Sequence, residues 1–351
     1  MLRLVVVTNM YPTAADPTQG TFVEQQVKGL RQAGVDVHVV HLDRRGSGMG
    51  IYRKIRARVE EAIQGCQPDL VHCMYGGLLA GITTRACSKR PVVVSYCGSD
   101  LFGEGGVGSL LRRVVGAYRI RASHRAAQRA SAIIVKSPGL ANALPASVNQ
   151  RKVFVLPNGI DMERFRPLDR QECRARVGWH DDCFHVLFTN GNGDPRKRIE
   201  LARAAIEALR ARGVAVELNP IPRVPHADVP IWMNAADAVI LTSIHEGSPN
   251  AIKEALACNR PVVSVDVGDV RERLEGVAGC YLVDASPHAI AEGLYSVYTG
   301  PRAVMSRPRI RELSLEAVTA RLILIYDSVM MRPLVRTDER IGFTPERSRV
   351  S

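Results

Sequence analysis

Short, continuously apolar runs alternate with amphipathic stretches along nearly the whole chain, and this restricts the fold more tightly than any other feature. Residues 5–7, 35–41, 70–73, 91–96, 132–136 and 153–156 have strand length, and all but 35–41 are nearly continuously apolar. A strand that is apolar on both faces must be covered on both faces, which is the situation of a parallel sheet sandwiched between helices. The covering segments lie between the runs, at residues 22–33, 53–64 and 110–130. The pattern predicts an α/β protein whose first half is Rossmann-like and doubly wound.

The alternation restarts after Pro157-Asn158-Gly159, a turn signal followed by a polar, charge-rich stretch through Trp179. Residues 185–189, 214–219, 238–242 and 262–265 form a second set of expected strands. With 351 residues, 46% of them hydrophobic, the chain can fill two ordinary cores. The expected division is an N-terminal domain over 1–160 and a C-terminal domain over 161–310, with a hinge near 157–175. A C-terminal helix over 311–331 could cross back to the first domain, and the polar tail 332–351 is expected to be disordered.

Charge separates the halves. Residues 1–155 hold 21 Lys and Arg against 9 Asp and Glu, whereas residues 156–351 hold 26 of each, so the first half carries the whole net charge of +12. Such asymmetry points to an anionic partner: nucleic acid, phospholipid head groups or a phosphorylated substrate. Six arginines, Arg112, Arg113, Arg119, Arg121, Arg125 and Arg129, fall in one helical segment but do not share one stripe at about 100° per residue. Few aromatics interleave with them and no standard nucleic-acid motif matches, so nucleic acid is not an expected partner. Eight dispersed cysteines make no C-x-x-C and no zinc-finger spacing, so most are expected to be buried thiols. No run approaches the roughly 20 apolar residues that cross a bilayer, and the opening Leu4-Val-Val-Val7 does not match a signal peptide. A cytoplasmic protein is expected, peripheral to a membrane at most.

The segment from Ser243 to Val263 carries the richest chemistry. Ser248 fits an N-cap, Pro249 the first helical position, and Asn259 the C′ stop before Pro261. A helix beginning at the C-terminal end of a parallel strand is where ligands bind in such sheets, and its unpaired first-turn N–H groups favour a phosphate. Glu246 and Glu254 lie eight residues apart. Were both helical they would be about 12 Å apart along the axis, beyond the roughly 5 to 9.5 Å that pairs glycosidase carboxylates. They therefore read as separate contacts on an extended ligand. A second cluster, Gly191-Asn-Gly-Asp-Pro-Arg196-Lys197-Arg198, places cations in a glycine-containing loop after a strand, suited to a diphosphate whose charge grows as a bond breaks. Gly20-Thr21-Phe22 stands between the first strand and first helix, where glycine lets the backbone approach a ligand.

In order along the chain, Glu246-Gly-Ser-Pro, Lys253-Glu254-Ala and Pro261-Val-Val resemble the E-x7-E signature of GT-B glycosyltransferases, above all the retaining enzymes of glycosyltransferase family 4 (group 1). Tyr11-Pro12, Gly20-Thr-Phe-Val23, Asp69-Leu-Val-His72, Gly98-Ser-Asp100, Pro157-Asn-Gly-Ile-Asp161, Arg164-Phe-Arg-Pro167, Lys197-Arg198 and Ala236-Asp237 fall in family order, so the resemblance spans roughly residues 3 to 330. It implies two Rossmann-like domains facing across a cleft. It further implies that Glu254 holds the ribose hydroxyls of a nucleotide-sugar donor and that Glu246 contacts the sugar. Gly247, Ser248, Pro249 and Asn250 would bring the backbone to sugar and phosphates, and Lys197 would meet the diphosphate. Gly20 and Thr21 match the family's glycine loop, and Asp100 is implied as a sugar or acceptor ligand. Asn190-Gly191 stands where many relatives carry Gly-Arg, which leaves that arginine's role to Arg196 or Arg198. Cys97 stands where many carry histidine, either as a weaker polar contact or as a buried thiol, and His72 reads as the end of a core strand.

The function implied is a retaining glycosyltransferase of the hexosyltransferase type, moving a sugar from a nucleoside diphosphate sugar to a polysaccharide or lipid-linked glycan in cell-envelope or exopolysaccharide biosynthesis. No cofactor is expected, and no D-x-D-type pair follows a strand, so metal independence is expected too. The competing readings are a phosphorylase or sugar-nucleotide epimerase on the same architecture, and a non-catalytic basic membrane-surface protein. The basic first half is expected to sit on an anionic membrane surface.

Overall fold

The computed structural model describes residues 1–43, 51–103, 110–189, 194–300 and 304–331. Asn190, Gly191, the tail 332–351 and the side chain of Arg112 lie outside what is described. The first sheet contains β1 (Arg3–Thr8), β2 (Asp36–His41), β3 (Leu70–Met74), β4 (Val92–Tyr96), β5 (Ala132–Val135) and β6 (Val153–Val155), in the order 2-1-3-4-5-6. The second contains β7 (Phe184–Phe188), β8 (Val216–Pro220), β9 (Ala238–Leu241), β10 (Val262–Val265) and β11 (Tyr281–Val283), in the order 11-10-9-7-8. Every strand pairing within them is parallel. The expected α/β architecture of two doubly wound sheets is what the chain forms. Strand β11 was not anticipated: three half-buried residues at a sheet edge leave too short an apolar run to read.

The first sheet shows why its strands lack alternation. Val5, Val7, Val71, Cys73 and Val94 enter one core, while Leu4, Val6, Leu70, Met74 and Val93 enter another on the opposite face. That second face is closed by the helix Thr21–Gln32 and by the last helix, Leu315–Met330, through Val318, Leu322 and Tyr326. The two helices meet so closely that a Cβ on Gly29 would lie 2.5 Å from Thr319 Oγ1. The chain returns to the first domain through paired backbone bonds, Ile160 N to Leu313 O and Leu315 N to Ile160 O, each 2.8 Å.

His72 lies in the middle of β3 rather than at its end, fully buried. Its Nδ1 is 2.7 Å from the Tyr326 hydroxyl and its Nε2 2.8 Å from Ser95 Oγ. Burial, reinforced by nearby Lys136, pushes its pKa down to about 3, so the ring is neutral and acts as a polar peg between the sheet and the last helix.

In each sheet the strand order reverses direction beside one strand, leaving a crevice at the carboxyl ends: between β1 and β3 in the first sheet, and between β7 and β9 in the second. The loops that follow these four strands carry Gly20, Tyr75, Lys197 and Glu246.

Candidate functional site

A cleft of about 440 Å³ opens between the domains. Thr18, Thr21, Phe22 and Cys97 line it from the first domain, facing Lys197, Glu246 and Glu254 of the second. A smaller adjoining hollow shares Lys197 and Glu246 and adds Arg196, Gly98 and Gly247.

The helix behind Glu254 runs Asn250–Ala257 and its cap is Pro249, not Ser248. The Ser248 hydroxyl donates to the buried Asp269 Oδ2 at 2.9 Å, a charge-assisted bond that orients it toward Asp269 and not over the helix N–H groups. Asn250 and Ala251, whose N–H groups belong to the unpaired first turn, line the cleft beside Ser248 and Pro249. Asn259 adopts φ +54° just past the helix, the left-handed stop expected of it.

The two glutamates occupy different surroundings. Glu246 Oε1 accepts from Ser243 Oγ at 2.8 Å and is ion-paired with Lys197 Nζ. Glu254 Oε1 accepts from His226 Nε2 at 3.0 Å. A carboxylate only accepts, so in this bond Nε2 carries the proton, and His226 Nδ1 faces Arg164 Nη1, which only donates, at 3.2 Å. Arg164 is in turn held by Asp161, 3.7 Å away. Asp161, Arg164, His226 and Glu254 thus form one oriented relay, with the Phe165 ring 5.3 Å from the imidazole.

Lys197 is fixed by stitches between the two strand-end loops. Thr242 Oγ1 donates to Lys197 O at 2.6 Å, and Arg198 donates to Thr242 O at 2.6 Å and Ser243 O at 3.2 Å. Arg198 therefore clamps the backbone and does not line the cleft, because its guanidinium satisfies carbonyls that end β9. Arg196 forms a two-pronged pair with Asp194, Nε to Oδ1 at 3.0 Å and Nη2 to Oδ2 at 2.7 Å, on the wall of the smaller hollow.

Asp100 differs most from its expected role. It is buried, and its carboxylate accepts from the backbone N–H groups of Gly76 (2.8 Å), Gly98 (2.8 Å) and Cys97 (3.1 Å). Burial pushes its pKa up, against those amide bonds. With its lone pairs committed to three amides it anchors a loop instead of presenting itself to a ligand. The loop it anchors touches the second domain: a Cβ on Gly247 would lie 2.4 Å from Cys97 O. Burial pushes the Cys97 thiol up to about 12, so at neutral pH it lines the cleft as an uncharged thiol. Gly20 is the N-cap of the first helix at φ +70°, and a Cβ there would lie 2.3 Å from the Met10 carbonyl carbon, so only glycine permits the turn that presents Thr21.

Comparison with known proteins decides what this arrangement belongs to. Residues 2–159 match the family model "Glycosyl transferase 4-like domain" and residues 184–299 match "Glycosyl transferases group 1". The chain is a GT-B group 1 glycosyltransferase. Along 84% of its length it is 25% identical to the teichuronic acid biosynthesis glycosyltransferase TuaC of Bacillus subtilis, covering 88% of that protein. It is 27% identical to D-inositol 3-phosphate glycosyltransferase 1 of Catenulispora acidiphila over 43% of the chain and 44% of that enzyme. Among solved structures, sucrose-phosphate synthase of Thermosynechococcus elongatus superposes with a TM-score of 0.75 over 94% of this chain and 99% of that one, at 17% identity. Anabaena HepE in complex with UDP superposes at 0.66 over 93% and 100%, at 18% identity. These two show the shared fold.

The enzyme depends on a nucleotide sugar, and the two matched regions supply opposite walls of the cleft. Sequence reading of the transferase missed His226 and left Arg164 without a task. A signal for His226 existed: it lies in Pro222-Arg-Val-Pro-His226, just past the carboxyl end of β8, on the ligand side of the sheet.

Proposed function

We propose that the enzyme transfers a sugar, with retention, from a nucleoside diphosphate sugar to a polysaccharide or lipid-linked glycan acceptor during cell-envelope or exopolysaccharide assembly. One observation carries the reading: Lys197, Glu246, Glu254 and the first turn of the helix Asn250–Ala257 line a single interdomain cleft, with Thr21 on the facing wall. Glu254 takes the ribose hydroxyls, since an ionised carboxylate suits vicinal O–H donors. Lys197 and the first-turn amides meet the diphosphate, stabilising its charge as the glycosidic bond breaks. Glu246 faces the sugar, and the departing phosphate oxygens take the acceptor hydroxyl proton on the same face. The diphosphate charge is met by these groups without a divalent ion. The acceptor class draws support from TuaC, named for teichuronic acid biosynthesis, and the donor class from the HepE complex with UDP-glucose.

Melting the protein with a panel of uridine, adenosine and guanosine diphosphate sugars tests the donor site. One of them at a hundred times its Kd should stabilise the fold by about 2.7 kcal/mol. Stabilisation by none of them would remove the proposed donor site. Conversion of the sugar nucleotide without any acceptor would favour an epimerase. Within the site, His226→Ala should weaken nucleoside diphosphate binding by roughly fivefold to tenfold, the worth of one lost hydrogen bond orienting Glu254. His226→Gln, which can still donate, should recover most of it. Titration calorimetry showing wild-type affinity in the alanine variant would leave the relay without a role in binding.

The basic half of the enzyme is proposed to rest on the cytoplasmic face of a membrane. No described helix is long and apolar enough to cross one. On the helix Leu110–Arg129, however, Val114 and Tyr118 are exposed beside exposed Arg113, Arg121 and Arg125. That mixture of cationic and apolar groups suits an anionic interface, at about 1 kcal/mol per nearby cation. Co-sedimentation should require anionic lipid, weaken with salt and fall when these three arginines become Gln. Equal recovery on neutral vesicles would reduce the patch to a solubility feature.

A further inference from the structure

At the opposite end of β7 from Lys197, three side chains of different chemistry converge. Cys183 and His185 are two residues apart and so point to the same face, and Glu217 is the parallel partner of His185 on β8. Cys183 Sγ, a ring nitrogen of His185 and a carboxylate oxygen of Glu217 all lie within 4.8 Å of one another. His185 Nδ1 is 3.7 Å from Glu217 Oε2.

The imidazole is prepared as a ligand. Its Nε2 lies 2.7 Å from the carbonyl oxygen of His180, which can only accept, so in the neutral ring Nε2 carries the proton and Nδ1 carries the lone pair. A backbone carbonyl holding the far ring nitrogen is the usual outer support of a metal-bound histidine. The Trp179 ring, stacked at 4.6 Å, fixes the plane, and the His185 side chain is only 2% exposed. At Nδ1 the present neighbour is Asn219 Nδ2, 3.2 Å away, a neutral donor that a cation would displace. Glu217 is exposed and Cys183 partly so, which gives solvent access.

We propose that Cys183, His185 and Glu217 form a binding site for a thiophilic divalent cation of the zinc type, separate from the donor cleft. Bonds of about 2.0 to 2.3 Å to sulfur, nitrogen and oxygen require only that Cys183 and Glu217 close slightly on the fixed imidazole, leaving a fourth position to water or to the Asn219 amide oxygen. Binding exchanges the thiol proton for the metal: Cys–SH and M²⁺ give the metal thiolate and one H⁺, so affinity rises with pH. The cation would tie the start of β7 to β8. Cys183-x-His185 alone has no recognised spacing; the third ligand comes from the next strand and becomes visible only in the fold.

The test uses the full chain, reduced and stripped of metal, titrated with cobalt(II) and then zinc. One equivalent of cobalt should bind, with a sulfur-to-cobalt charge-transfer band and quenching of tryptophan fluorescence, since both tryptophans, Trp179 and Trp232, are packed together beside His185. Zinc should displace it and raise the melting temperature. Cys183→Ser should abolish the band, and Glu217→Gln should weaken cobalt by at least roughly tenfold, no less than the loss of an outer-shell group costs. Neither variant removes a buried group, so both should fold. No binding at one equivalent, or a thiolate band that survives Cys183→Ser, overturns the site. The donor cleft can fail its own tests without altering any of these outcomes.

Discussion

Glu246→Gln is expected to weaken binding of the nucleoside diphosphate sugar by roughly tenfold to hundredfold, the worth of a charge-assisted contact of about 1.5 to 3 kcal/mol. The same change should leave the bare nucleoside diphosphate unaffected or bound more tightly. The opposite signs come from the ion pair in the cleft: Lys197 Nζ rests on Glu246 Oε1, so an incoming diphosphate must draw the lysine away from that carboxylate. Gln cannot hold the ammonium as strongly, which lowers the cost of that exchange for the diphosphate. It also replaces the charged, two-oxygen acceptor that the proposed mechanism gives to the sugar with a neutral amide that has one accepting oxygen. Lys197→Ala should weaken both ligands, and Glu254→Gln likewise, because ribose and diphosphate are common to both. Calorimetric titration of each variant with both ligands decides the matter. Equal weakening of both by Glu246→Gln would mean that the roles of the two glutamates are reversed.

Particular residues show how far this site could be read from the chain. The strands were legible because β1 and β3 are buried on both faces, and a short run that is apolar on both faces fits the middle of a covered parallel sheet. Lys197, Glu246 and Glu254 were legible because ordered motifs surround them, and the fold places all three on one cleft. What failed were assignments of partners. Ser248 has the chemistry of a cap, but Asp269, twenty-one residues away, takes its hydroxyl. Asp100 has the chemistry of a sugar ligand, but three amides of its own and a neighbouring loop enclose it. Arg198 has the charge of a phosphate clamp, yet the end of β9 offers it carbonyls at closer range. In each case a tertiary hydrogen bond stands in place of the expected partner, which residue type alone does not distinguish. His226 is the converse, a ligand-side group without a motif, visible once β8 delivers it to Glu254.

Replacing Asp237 with Asn is expected to destabilise the second domain by about 3 to 5 kcal/mol, the usual consequence of breaking one side of a buried ion pair. Asp237 is fully buried. Its Oδ2 accepts from Arg174 Nη2 and, at 2.8 Å, from His185 N, while Oδ1 accepts from Arg170 Nη1 at 2.8 Å. The Arg174 side chain is only 2% exposed, so losing Asp237 leaves its Nη2 buried without a counter-ion, with only the exposed Asp181 still paired at Nη1. An asparagine amide makes matters worse by turning a donor toward a donor. Arg170, a third exposed, can be solvated instead, and Arg170→Gln should cost about 1 kcal/mol or less. Chemical denaturation of the two variants measures the contrast, and similar small losses in both would show that the buried pair contributes little. A double change of Arg174 and Asp237 to apolar residues of similar volume should recover much of the stability, because it removes both desolvated charges together. The position of this pair gives the network its bearing on function. Asp237 N also donates to His185 O at 2.9 Å, so the carboxylate and its backbone lock the starts of β7 and β9 together. The far ends of those same two strands lead to Lys197 and Glu246. A carboxylate remote from the cleft therefore stabilises the strands that carry the ion pair without touching the ligand, so under conditions where the Asn variant remains folded its nucleoside diphosphate affinity should stay close to wild type.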